Sequence, residues 1–404
     1  MPATPASAAA ISTRRLSLLV ASLTAIGPFA IDTYLPAFGL IGESLGAGDV
    51  EVQQTLSIYL LTFAAMNLWH GALSDSLGRR TVLLAGLAVF AVGNVGAALS
   101  TSIGQLWFWR AIQGLAGGIG LAVGRAAVRD MLHGADAQRV LAQVTMLFAL
   151  APAVAPIIGG WIGVTFGWRA IFGFLAVLAA AIFLSTWRFL PETLPPERRQ
   201  SLHPGNLLRG YSEVFRLGAL WRLAGAQALS FLGFFVYILA SPVFLTEHLK
   251  LSATQFGWLF VPATTGTMLG GFLASRFAGR RSLDWAIRAG LAIMGVTALI
   301  NVALNWNGPP ALVLAVTPIM FYSIGMSLAQ SSFQVRMLDL APSRTGMVSS
   351  CGSFIMHTAN ALAAALLVPL LWGSSLHLAA GSAALAAAAV LLYAWQCRRP
   401  VPVC

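Results

Sequence analysis

Long apolar runs dominate this chain and leave it few folds to choose from. They cover about 16–38, 52–74, 81–99, 103–127, 138–163, 168–190, 219–246, 254–275, 285–304, 309–335, 345–371 and 375–396. Each approaches the roughly 20 residues that carry a helix across a bilayer. Within hydrocarbon every backbone polar group needs an internal partner. That leaves helices or a closed barrel, and no alternating barrel pattern is present. Only 9% of the 404 residues are charged and 58% are hydrophobic, against roughly 25% charged in soluble domains. Mean hydropathy is +0.79. The expectation is an all-α membrane protein of twelve transmembrane helices.

Inside the first run lies Gly27-Pro28-Phe29-Ala30-Ile31-Asp32-Thr33-Tyr34-Leu35-Pro36. A carboxylate there costs at least about 2.5 kcal/mol on insertion scales. Asp75, Asp130, Glu247 and Asp284 stand at run ends instead. An acid kept at such depth marks a proton or substrate path, or a structural pair with a base on a neighbouring helix. Both roles are compatible. Asp32 is therefore the first candidate for proton coupling.

The net charge of +11 is spread between the runs, so it reads as topology and not as a nucleic-acid surface. An even number of runs puts both ends on one side. With that side cytoplasmic, every base except Arg110, Arg169 and Lys250 falls inside, while Glu43, Asp49, Glu51 and Glu247 fall outside. Arg14-Arg15 before the first run has a twin-arginine look, but that run is long and holds Asp32, unlike a signal core. The three cysteines, Cys351, Cys397 and Cys404, form no disulfide framework or metal spacing.

The longest polar connection runs from Pro191 to about Gly218. It divides the chain into a cytoplasmic tail 1–15, a six-helix bundle 16–190, a cytoplasmic linker 191–218, a second six-helix bundle 219–396 and a tail 397–404. Gly78-Arg79-Arg80 after the second run recurs as Gly279-Arg280-Arg281 after the eighth, 201 residues on. The same loop at the same helix count argues an internal repeat, a plan that puts a substrate site near mid-membrane between rocking halves. In the second copy Arg276 stands where Asp75 stands in the first.

The loop Gly71-Ala72-Leu73-Ser74-Asp75-Ser76-Leu77-Gly78-Arg79-Arg80 is a candidate gating element. Asp75 is suited to pair with Arg125 or Arg129 at the inner end of the fourth run, or to meet the start of the eleventh near Ser343-Arg344-Thr345. Contacts of that kind, formed in one state only, bias a two-state equilibrium.

These residues resemble the loop signature of the major facilitator superfamily. Arg110-Ala111-Ile112-Gln113-Gly114 resembles its Arg-x-x-Gln-Gly motif. Ala155-Pro156-Ile157-Ile158-Gly159-Gly160 resembles its antiporter motif, with Ala155 in place of the first glycine. Asp32-Thr33-Tyr34-Leu35-Pro36, Gly167-Trp168-Arg169, Pro191-Glu192-Thr193-Leu194 and Ser241-Pro242 before Gln255-Phe256-Gly257 are similar to the bicyclomycin/chloramphenicol-resistance branch of drug:proton antiporters. The resemblance implies two pseudo-twofold-related six-helix bundles and alternating access. It also implies export of small drugs against protons from a bacterial inner membrane. Pro152, Pro156, Gly159 and Gly160 would then seal a leak path between the halves, or serve generic close packing.

Helical rise puts Asp32 and Arg110 at similar depth in the outer half, within roughly 5 Å. The resembled fold lines its cavity with the first and fourth helices, so the two are expected to meet. Tyr34, Tyr59, Gln113, Phe231, Phe235, Tyr237, Tyr322 and His357 are further cavity candidates. Polar groups among them serve equally as helix-to-helix hydrogen bonds. The expected partners are a small apolar or amphipathic drug, protons and the lipid bilayer, with no nucleic acid, no cofactor and a monomeric state. A small metabolite such as an amino acid or sugar is the alternative cargo. No nucleophile elbow, zinc spacing or nucleotide loop points to an enzyme.

Overall fold

In a computed structural model, residues 12–399 are described. The ends of both tails, 1–11 and 400–404, lie outside them, and with them Cys404. The described residues contain helices and no strand. The first run forms α1 (Thr13–Asp32), a 3-10 turn Leu35–Ala37 and α2 (Phe38–Leu45). The break has a local cause. Pro36 lacks the N–H that the Asp32 carbonyl would take four residues on. The chain continues with α3 (Asp49–Asn67), α4 (His70–Leu77), α5 (Arg79–Ala98), α6 (Ile103–Gly117), α7 (Ile119–Met131), α8 (Gly134–Phe166) and α9 (Trp168–Phe189).

The polar connection holds a helix that the run pattern does not announce, α10 (Pro204–Phe215). Its buried side is Gly210, Tyr211 and Val214, a stripe too short to register as an apolar run. Then come α11 (Gly218–Leu239), the short α12 (Ser241–Val243), α13 (Gly257–Phe277), α14 (Leu283–Asn305), α15 (Leu312–Leu338), α16 (Thr345–Leu362), α17 (Val368–Leu371) and α18 (Ser375–Arg398).

Among the described residues, ten helical segments are long and apolar enough to cross a membrane. An eleventh is added if α3 and α4, bent by 50° at their break, make one span. Helix α13 has the length, 21 residues, but falls outside that set. Thr264, Thr265 and Thr267 with Gly266, Gly270 and Gly271 dilute its hydropathy. Those glycines instead serve packing: a Cβ on Gly266 would lie 2.2 Å from the Met320 carbonyl oxygen of α15.

Within the first half α1 packs on α8, α3 on α6 and α5 on α9; within the second, α11 packs on α18 and α15 on both α13 and α14. The halves join through α3 against α16 and α8 against α13. One apolar cluster fills the first half and takes in Phe235–Ala240, Phe244, Phe256, Leu259, Phe260, Ala361, Ala363, Ala364 and Val368 of the second. These second-half residues belong to the ends away from the linker. The contacts agree. The turn Leu35–Ala37 meets α12, and Gln54 Nε2 donates to the Ala365 carbonyl at 3.1 Å. The molecule is closed at the end opposite the chain termini.

Candidate functional site

Asp32 ends α1 and is buried, 4% exposed. It does not face lipid. A Cβ on Gly159 of α8 would fall 1.6 Å from the carbonyl oxygen of Thr33, so α8 lies directly on the backbone beside the acid. Among the described residues Asp32 forms no ion pair within 4.0 Å.

Arg110 on α6 is fully buried. The expected meeting with Asp32 is not an ion pair here. Its Nη1 donates to the Ala30 carbonyl at 3.1 Å and to Gln113 Oε1 at 2.6 Å. The carbonyls in the last turn of a helix lack intrahelical donors and carry its negative dipole end. The guanidinium has taken that end in preference to the carboxylate. Its plane is held between two rings, 4.3 Å from the centre of Tyr34 and 4.4 Å from that of Tyr59, a stacking that suits a cation removed from water.

Three sets of hydrogen bonds surround Arg110. The Tyr34 hydroxyl bonds that of Thr55 at 3.2 Å, which donates to the Val52 carbonyl. Tyr59 donates to the Gly27 carbonyl at 3.4 Å. Gln113 donates to the Gly93 carbonyl and to Asn94 Oδ1. Several buried polar atoms nearby have no partner among the described residues: Arg110 Nε and Nη2, the Thr33 hydroxyl and both amide atoms of Gln53. Thr55, Asn94 and Gln53 escaped the sequence reading because single polar residues in apolar runs carry no positional signal.

The other cavity candidates divide into three places. Phe231 and Phe235 pack together, ring centres 5.1 Å apart. Tyr237 accepts from Asn301 Nδ2 at 2.7 Å, and Tyr322 donates to the Ser230 carbonyl. Both tyrosines line a small enclosed cavity within the second half, with Gly233, Thr297 and Ser382. His357 of α16 stacks on Phe63 of α3 at 4.7 Å, with its Nδ1 on the Ser353 carbonyl. It is thus a contact between the halves.

At the linker end, Gly71 to Leu77 is helical, as part of α4, and the tight turn expected there is confined to Gly78, at φ +98°, before α5 begins at Arg79. Gly279 in the second copy also has positive φ, +73°. The partners are not the expected ones. Asp75 pairs with Arg79, four residues on in the same loop, and not with Arg125 or Arg129, which form no ion pair among the described residues. Arg79 also donates from Nε to Asp130 at 3.1 Å and from Nη1 to Ser74 at 2.6 Å. Asp75 thus has its charge met four residues on, by a base that also holds Asp130. Arg344 at the start of the eleventh run pairs with Glu213 of α10 instead.

The linker clamps this loop. Glu192 accepts from the backbone N–H of Arg79 at 2.8 Å. Thr193 donates to Asp130 and the Gln200 N–H donates to the Asp75 carbonyl, while Arg80 Nη2 donates to the Trp187 carbonyl of α9 at 2.6 Å. Tyr211 of α10 donates to the Leu68 carbonyl at 2.5 Å, inside the break between α3 and α4. In the second half the corresponding ion pair is reversed in sign. Asp284 at the start of α14 takes Arg336 of α15 at 2.5 Å and the Tyr393 hydroxyl at 2.7 Å.

In the antiporter-like segment, Gly159 contacts α1, while a Cβ on Gly160 would fall 2.2 Å from the Ala253 carbonyl oxygen of the second half. Adjacent glycines therefore join α8 to the Asp32 strand of chain and to the opposite half. Pro152 and Pro156 precede them inside the same helix.

The family model described as Major Facilitator Superfamily matches residues 20–366. The chain is 28% identical over 282 residues to the bicyclomycin resistance protein homolog of Haemophilus influenzae, covering 70% of this chain and 71% of that one. It is 29% identical over 320 residues to the chloramphenicol resistance protein of Pseudomonas aeruginosa, covering 78% and 74%. A solved bacterial homolog of the human lysosomal transporter Spinster superposes with a TM-score of 0.70 at 17% identity, over 95% of both chains, which speaks to the fold. The chain belongs to the Major Facilitator Superfamily.

Proposed function

We propose that this protein is a proton-coupled exporter of small apolar or amphipathic compounds, of the kind its drug-resistance relatives are named for, working by alternating access. The reading takes the spans as twelve, two six-helix bundles over 16–190 and 219–396 joined by the linker 191–218. It sets a monomer in a bacterial inner membrane with both termini cytoplasmic. The observation that carries it is Asp32. It is a buried acid, without a counter-ion among the described residues, at a helix break, one residue from the backbone on which Gly159 of α8 rests.

With the termini taken as cytoplasmic, closure at the end opposite them reads as an inward-facing arrangement. In it Asp32 releases its proton inward. When α8 and α13 part, the same carboxylate is hydrated from outside and takes a proton again. Arg110, anchored on the Ala30 carbonyl and between two rings, holds a fixed positive charge near that event. A proton moving inward gains about 2.3 kcal/mol per 100 mV, enough to drive a neutral compound uphill. The aromatic cluster Phe231–Phe235 and the Phe63–His357 stack offer apolar surface to such a compound.

The test is transport into inverted vesicles with an imposed pH gradient, using a panel of antibiotics and dyes and an internal pH dye. Asp32→Asn is expected to abolish both drug movement and drug-induced proton movement. Full activity in that variant overturns the carrier role.

A further inference from the structure

The linker-side edge of each half carries the same cluster. At the first, Arg15 from the start of α1 and Arg188 from the last turn of α9 both lie over the ring of Phe189, at 5.8 and 5.6 Å. At the second, Arg222 from the start of α11 and Arg399 just beyond α18 both lie over the ring of Trp395, at 5.4 and 5.7 Å. In each case the half's first helix gives one arginine, and its last helix gives the ring and the other arginine. Phe189 and Trp395 are exposed, at 44% and 47%.

Two guanidiniums on one ring repel each other. Among the described residues none of the four has a carboxylate within 4.0 Å. A helix C-terminus favours one nearby cation, which accounts for Arg188 and Arg399. It does not account for Arg15 and Arg222, which come from helix starts, where the dipole disfavours them. Arg222 is moreover held in place, donating from Nε to Gln396 Oε1 at 2.6 Å. Each cluster thus sets two guanidiniums, uncompensated by a carboxylate among the described residues, beside an exposed aromatic ring at the linker-side helix ends, the level at which spanning helices meet a bilayer's headgroups. Basic pockets between helix ends on the cytoplasmic side are suited to anionic headgroups, and aromatic rings are favoured at that level.

We propose that these two clusters are paired binding sites for anionic phospholipid. Each bridges one phosphodiester between its two arginines and lays the lipid's glycerol region on Phe189 or Trp395. Each lipid would tie the first helix of its half to the last.

Native mass spectrometry of the detergent-purified full chain, with limiting phosphatidylglycerol or phosphatidylcholine, tests the assignment. Two phosphatidylglycerols are expected to be retained in preference to phosphatidylcholine, with inorganic phosphate unable to displace them. Arg15→Gln with Arg188→Gln should lose one, and Arg222→Gln with Arg399→Gln the other. At roughly five-fold in affinity per arginine, each pair weakens its site about 25-fold. The corresponding Arg→Lys pairs fold with charge intact and should keep both lipids. Equal retention of the two lipids overturns the proposal. So does unchanged binding in the Gln variants, and displacement by inorganic phosphate would make these sites for a free anion. The readout is binding, so its failure leaves the transport reading untouched.

Discussion

Gly160→Ala separates the role of α8 as a seal from its role as a packing helix. The new Cβ would lie 2.2 Å from the Ala253 carbonyl oxygen, where ordinary contact begins at 3.4 Å, so the gap must widen by about 1.2 Å. Backbone cannot swing aside as a flexible side chain can. Overpacking of this kind costs about 1–3 kcal/mol. Gly160 and Ala253 belong to opposite halves, so opening the outer end relieves the overlap completely. The strain falls on the outer-closed state alone, and the ratio of open to closed should rise roughly 5- to 150-fold. Gly159→Ala is the contrast. Its overlap is with Thr33 of the same half, and a shortfall of 1.8 Å from the 3.4 Å threshold persists in either state. That variant should lose thermal stability without opening. The assay is the alkylation rate of Ser241→Cys by an impermeant maleimide, in a background without the native cysteines. Ser241 is fully buried at the outer closure. Its labelling should accelerate in Gly160→Ala and not in Gly159→Ala. Equal, unaccelerated labelling in a folded Gly160→Ala protein would refute the argument.

Other perturbations probe the linker side. Gly78→Ala combines a backbone at φ +98° with a Cβ 2.5 Å from Glu192 Oε2; it should lower stability by about 1–3 kcal/mol and expose the 191–200 linker to protease. Arg79→Ala strips Asp75, Asp130 and Ser74 of their shared donor, whose side chain is only 11% exposed. With Asp75 and Asp130 partly exposed, a loss of about 1.5–3 kcal/mol is expected in chemical unfolding, with Asp130→Asn costing less because Arg79 keeps Asp75. Tyr211→Phe removes the bond to the Leu68 carbonyl and should cost about 1 kcal/mol. Burial pushes the Tyr211 phenol up. Its contribution to stability is therefore full below the ordinary phenol value of about 10 and lost as pH rises through the higher folded value. Difference absorbance between wild type and Tyr211→Phe should show one phenol titrating late, and a phenol titrating at the ordinary value would contradict its burial.

Most of the spans, the place of Asp32 inside the first of them and the two Gly-Arg-Arg turns were readable from the chain alone. Each depends only on neighbours in sequence. A bilayer demands contiguous apolar residues of set length, Pro36 breaks a helix four residues after Asp32, and positive φ selects glycine at 78 and 279. Helix α10 escaped because an amphipathic helix at the surface exposes most of its residues and makes no run.

Partner choice belonged to the tertiary structure. Sequence placed Asp75 near Arg125 and Arg129, and Arg110 level with Asp32, because rise per residue gives depth along the membrane normal. It gives no rotation about the helix axis. Helices that face lipid on one side and protein on the other are apolar on both, so no polar stripe reports which residue points inward. Packing decided that Arg79 and not a base of α7 takes Asp75, and that Arg110 takes a helix end and two rings. It also decided that Gly159 and Gly160 touch different halves of the molecule.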